Sequence, residues 1–217
     1  MPVLDRVVEP YLSDATASPA GLIVYSFAEA DREYDCFNSS LFMAGEIQRY
    51  SKLLPDGPVR DTCQQNSDRV MQVVYDYREI TEGGCWYWHY QVAESRLNDL
   101  LHVGYCAHGV IEYVNSDGRH ANLFDIDAIN RYVYSFRDTY IWYELPGSKV
   151  ELRLWSLGMG LYVARSLNDS EVAHSIILFS RRYRGAEPGI YFYSPTILES
   201  YIRHTAHFLF GLSEYLY

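Results

Sequence analysis

The stretch Lys149-Val150-Glu151-Leu152-Arg153-Leu154-Trp155-Ser156-Leu157-Gly158-Met159-Gly160-Leu161-Tyr162-Val163-Ala164-Arg165-Ser166-Leu167 decides how the chain is read. Glu151, Arg153 and Trp155 recur with a period of two, which places them on one face of a strand. Gly158-Met159-Gly160 then reads as a turn between Lys149–Leu157 and a second strand over 161–167. Working outward, Asn168-Asp169-Ser170 opens into a strand over 171–183, and Pro146-Gly147-Ser148 closes an earlier one over 139–145. Four consecutive strands of this kind predict an antiparallel meander.

The same device recurs upstream. Met71, Val73, Tyr75 and Tyr77 alternate with polar residues, Thr81-Glu82-Gly83-Gly84 supplies a turn, and Cys85–Tyr90 returns as a hairpin partner. Val110–Val114, the turn Asn115-Ser116-Asp117-Gly118 and a return through Leu123 predict another hairpin, and Asp125 to Arg131 is a short helical turn or a loop. Gly21–Phe27 reads as a first strand. Helical spacing governs the two flanks. Met43, Ile47, Tyr50 and Leu54 lie on one face of a helix over 38–54 that ends before Pro55. After Ser194-Pro195-Thr196, the residues Ile197, Leu198, Tyr201, Ile202, Phe208, Leu209, Leu212, Tyr215 and Leu216 form one apolar stripe, with Thr196 and Glu199 spaced as a capping box.

The fold class expected is α+β: a strongly curved antiparallel β-sheet or barrel of about seven to nine strands, with a helix near the N-terminus and a long C-terminal helix. The element order is similar to the helix-grip arrangement of lipid-transfer and polyketide-cyclase domains, whereas the hairpin run alone is similar to a calycin-like barrel. Either resemblance implies an internal cavity. No repeat or linker divides the chain, so one globular domain is expected over residues 1–217, with 1–20 as an irregular segment.

Composition narrows the function classes. The chain has 217 residues, 48% hydrophobic and 21% charged, with a formal net charge of −10. The longest basic run is Ser180-Arg181-Arg182-Tyr183-Arg184, which gives a nucleic-acid backbone little to bind. No apolar run reaches the roughly 18 residues of a membrane span, and the N-terminus has no secretory pattern, so a soluble cytoplasmic protein is expected. Cys36, Cys63, Cys85 and Cys106 lack zinc-type spacing and read as free thiols, and the sequons at Asn38 and Asn168 read as chance. Phosphate-binding glycine loops, a Gly-x-Ser-x-Gly elbow and His-Glu-x-x-His are all absent, so no cofactor and no metal are expected.

The chain has 21 Tyr and 16% aromatic residues. An apolar body with one polar tip suits pocket mouths and interfaces. Tyr87 and His89 share one face of the Cys85–Val92 strand. Trp142 and Glu144 share a face that would meet Glu151, Arg153 and Trp155 across the Pro146-Gly147 turn. With Arg165 these form the candidate ligand-binding set. His108 and Glu112, on one strand face, and His174, aligned with Ile176 and Leu178, are the candidate catalytic residues. His204 and His207, three apart on the last helix, read as the polar face of a surface helix.

The leading expectation is binding of a small apolar or aromatic ligand in a cavity of the aromatic-rich sheet. Two alternatives stand beside it: a cofactor-free cyclase, isomerase or lyase using His and Glu as acid and base, and an interaction or structural subunit whose exposed Tyr and Trp form an interface. Homo-oligomerisation is compatible with the third.

Overall fold

The computed structural model describes residues 17–23, 35–139, 141–148, 150, 152–187 and 190–216. The chain is 57% helical, with seven α-helices and three two-stranded antiparallel ribbons among the described residues. No barrel and no curved sheet of seven to nine strands is present among them, so the helix-grip and calycin-like orders do not apply. The chain groups into two compact units, one of residues 1–97 and 105–128, the other of residues 98–104 and 129–217. No helix of the described residues is long and apolar enough to cross a membrane.

The first unit contains α1 (Phe37–Ser51), α2 (Pro58–Asp76), four short strands and most of α3 (Leu100–Asn115). The N-terminal-region helix forms close to its expected place. The alternation at 69–77 does not make a strand, because Val70, Met71 and Val74 are the buried positions and their spacing is that of a helix face. Tyr75 and Tyr77 instead lie at the edge of α2, which begins with Gly57 and Pro58 in the positions a helix start favours. α1 and α3 cross at two glycines: a β-carbon on Gly109 would overlap the Leu41 carbonyl, and one on Gly45 would overlap the Gly109 carbonyl. Across Thr81–Gly84 a hairpin does form, shortened to β1 (Glu79–Ile80) against β2 (Trp86–Tyr87). β3 (His89–Gln91) pairs with β4 (Glu94–Leu97). The Trp88 indole N–H donates to the Val74 carbonyl at 2.7 Å and anchors this ribbon region to α2.

The expected hairpin over 110–123 is the end of α3. Asp117 has φ 51°, and the Gly118 amide donates to the Tyr113 carbonyl at 3.0 Å, a left-handed helix terminus. An Asp-Gly pair serves a hairpin turn and a helix end equally well, and the apolar spacing of Val103, Cys106, Ala107, Val110 and Ile111 selects the helix.

In the second unit the meander is replaced by α5 (Leu154–Ser166) and α6 (Ser170–Ser180). α5 is buried over Leu154–Ala164 on every face, so it shows no amphipathic period. Gly158 is part of a crossing, not a turn: a β-carbon there would overlap the His207 carbonyl, and one on Gly211 would overlap the Gly158 carbonyl. The crossing partner is α7 (Ile202–Leu216). Asn168 at φ 55° reverses the chain, and the Asp169 side chain caps α6 by accepting from the Val172 amide at 3.0 Å.

Between residues 126 and 142 lie α4 (Ile126–Tyr134) and a ribbon of β5 (Arg137–Asp138) with β6 (Ile141–Trp142). The long C-terminal helix exists but starts later than expected. Ser194 accepts from the Ile197 amide at 3.1 Å, and the Tyr193 amide donates to the Glu199 carbonyl at 2.7 Å, which holds 193–199 as a turn. Of the helix residues, His204, Phe208 and Gly211 are buried, whereas Ile202, Leu209 and Leu216 are exposed, so the expected stripe faces outward in part. The first strand, expected over 21–27, is described only at its start, where Ile23 bridges Ala17; the remainder lies outside the described residues.

Candidate functional site

Asp99 ends the loop before α3 and caps that helix. Its Oδ1 accepts from the His102 amide at 3.1 Å and its carbonyl accepts from Val103 at 2.9 Å. The same Oδ1 lies 2.5 Å from Nδ1 of the His102 ring, so one carboxylate both caps the helix and orients an imidazole. Arg153 occupies the equivalent position before α5. Its Nη2 donates to Asp99 Oδ2 at 2.7 Å, its Nε donates to Glu144 Oε1 at 2.6 Å, and its amide donates to Glu144 Oε2 at 3.2 Å. The Glu144 carbonyl accepts from the Leu100 amide at 3.2 Å, so both helix starts are tied to one carboxylate residue.

Electrostatics follow from this geometry. Burial would raise the Asp99 pKa, but the hydrogen bonds and charge of His102 and the charge of Arg153 outweigh it and hold the carboxyl below its ordinary range. Burial pushes Glu144 upward, with the Asp99 charge adding to it and Arg153 opposing it. Burial works against the Arg153 charge, yet its bonds to Glu144 and the charge of Asp99 raise its pKa further.

The aromatic half of the cluster is centred on Trp155. The His204 imidazole stacks on the indole at 4.0 Å with 11° between planes. The guanidinium carbons of Arg153 and Arg203 lie 4.7 and 4.6 Å from the indole centroid. His102 and His207 approach it edge-on at 6.4 and 6.2 Å. Tyr193 lies 4.6 Å from the His204 ring and Tyr201 lies 5.6 Å from it. Burial, reinforced by Arg203, Arg153 and His207, pushes the His204 pKa down to about 4, so the ring is neutral at pH 7. Burial, with Arg203 and His102, also lowers His207. Trp155 Nε1 and His204 Nδ1 are buried and have no hydrogen-bond partner among the described residues.

Of the sequence-predicted residues, Glu144, Arg153 and Trp155 come together here. Trp142 is buried elsewhere in the same unit, edge-on to Tyr134 at 6.3 Å. Arg165 lies twelve residues along α5, about 18 Å of helix rise from Arg153, and reaches Glu214 on α7. Tyr87 and His89 meet edge-on at 5.5 Å in the first unit. His174 is exposed on α6 and does not point into an apolar layer. His108 and Glu112 lie one turn apart on α3, not on a strand. The carboxylate that meets His108 is Glu46, at 2.6 Å from Nε2, and Glu112 lies 3.7 Å from Arg49.

The residues missed in the sequence are Asp99, His102, Tyr193, Tyr201 and Arg203. Asp99-x-x-His102 at a helix start was the available signal, since an N-cap carboxylate reaches the third residue of its helix. His204 and His207 stand out in sequence as a pair three apart, but nothing there reveals Trp155 beside them. No group of three or more His, Cys, Asp or Glu side chains among the described residues is arranged to hold a metal ion. Comparison with protein-family models, with curated proteins and with solved structures finds no match to this chain.

Proposed function

We propose that the second unit binds a small ligand with an aromatic or apolar part at the Trp155 cluster. The carrying observation is the Trp155–His204 stack, in which Trp155 Nε1 and His204 Nδ1 are buried without hydrogen-bond partners among the described residues, beside a network in which Asp99, Glu144 and Arg153 are all engaged. Buried polar atoms are almost always satisfied, and their clustering beside aromatic rings is the composition of small-molecule sites. Tyr201 and Arg203 are exposed at the edge of the cluster and supply a rim that a ligand meets first. The site rests on helix starts and α7, in place of the sheet face expected from the sequence.

The interface reading has less support, since none of the four Trp side chains is exposed. Titration with phenol, benzoate and indole, followed by tryptophan fluorescence, tests the binding reading. A saturable change for at least one probe, lost in Trp155→Phe, is expected. Responses that are linear for all three, or unchanged in Trp155→Phe, would overturn it.

A further inference from the structure

We infer that this cluster is catalytic, with His102 as a general base oriented by Asp99. The inference rests on the ligand-binding reading of the same cluster and goes further, because binding alone requires no oriented imidazole.

The geometry is that of a base and its orienter. Asp99 Oδ1 lies 2.5 Å from His102 Nδ1, which fixes that nitrogen as the N–H and makes Nε2 the basic atom. Asp99 is itself held from behind by Arg153, and Arg153 by Glu144, so the carboxylate is positioned by bonds to both oxygens. Burial of this chain of charges keeps the carboxylate from turning outward. The His102 and Trp155 rings lie nearly perpendicular with centroids 6.4 Å apart, so the imidazole borders the aromatic cluster at which the ligand is proposed to bind. His207 also approaches that ring edge-on, which places a second imidazole at the same cluster.

The substrate class that fits has an apolar or aromatic part and an acyl or other electrophilic carbon open to attack by an activated hydroxyl. In the step, Nε2 takes the proton of water or of a substrate hydroxyl. The O–H electron pair forms the new bond to the electrophilic carbon, the leaving group departs with its bonding pair, and the proton passes from Nε2 to it or to solvent. No electron transfer is involved. Asp99 stays ionised throughout and is a positioning residue, while His102 touches the reacting atoms.

The probe is p-nitrophenyl acetate, whose aromatic leaving group suits the cluster and whose release is read by absorbance. The full chain is expected to hydrolyse it with saturation. His102→Gln is expected to lose about 100-fold, falling to the rate of the same concentration of free imidazole or below. His120→Gln, in the first unit, is expected to keep the full rate. Asp99→Asn retains a good helix cap but loses the charge, and is expected to lower kcat at least about tenfold with KM unchanged. A purely structural Asp99 would leave kcat alone once folding is verified by circular dichroism. Equal rates for His102→Gln and the unsubstituted protein overturn the inference. If fluorescence titration still reports Trp155-dependent binding in that case, only the catalytic inference falls. If binding is also absent, the ligand-binding reading falls with it.

Discussion

Each compact unit contains a histidine bonded to a carboxylate, and the two pairs are built in opposite senses. In the first unit the His108 side chain is fully buried, stacked on Phe42 at 4.7 Å, while its partner Glu46 is 32% exposed and lies 3.7 Å from Arg49. In the second unit the carboxylate is the deeper member: the Asp99 side chain is 14% exposed and His102 is 22% exposed. A buried imidazole whose acid faces water is a packing element with its charge partner at the surface. An imidazole nearer solvent, with its acid fixed behind it, is arranged to exchange a proton with something that arrives from outside. The same residue types on the same helix thus serve two ends, and burial order, not residue identity, separates them.

The largest effect that would break the comparison is on stability. His108→Ala leaves a cavity against Phe42 and removes the hydrogen bond to Glu46, and a loss of about 3 kcal/mol is expected from chemical denaturation. His102→Ala, at a more open position, is expected to cost about 1 kcal/mol. Equal losses at the two positions would remove the distinction.

A smaller effect would sharpen it. His204 titrates near 4 in the folded chain against an ordinary 6.5. The unfolded chain takes up its proton first, so the folded state loses stability as pH falls from 6.5 toward 4, with no further loss from this group below that. His207 is shifted in the same direction and adds to the slope. Thermal unfolding followed across this window is expected to show a falling midpoint, with a shallower fall in His204→Phe. An unchanged slope in that variant would show that the Trp155 stack does not keep the ring neutral.

The fold was only partly legible. The helix over 37–51 and a C-terminal helix could be read because both carry an apolar period with punctuation near their ends. α5 could not, since a helix apolar on all sides has no period, and its glycines look like turn residues until Gly211 is known to cross at Gly158. α2 has the look of a strand in sequence because Met71, Val73, Tyr75 and Tyr77 alternate by chance along the end of a helix, Tyr77 being its C-cap, whose buried face is Val70, Met71 and Val74.

The site shows the same division. Glu144, Arg153 and Trp155 lie together because a turn at Pro146–Ser148 brings 144 and 150 together, with the Glu144 amide donating to the Val150 carbonyl at 3.3 Å. Strand or helix beyond Arg153 made no difference to that approach. Asp99, His102 and His204 come from segments about 50 residues to either side of Arg153, and only packing unites them with Trp155.

The most direct measurement is the rate at which diethyl pyrocarbonate modifies each histidine of the folded protein at pH 7, read site by site by mass spectrometry. The reagent acylates a neutral imidazole nitrogen that it can reach. His102 is expected to react while the chain remains folded, and His108 only upon unfolding. Modification of His108 at the same rate as His102, or before it, would contradict the assignment of one pair to packing and the other to chemistry.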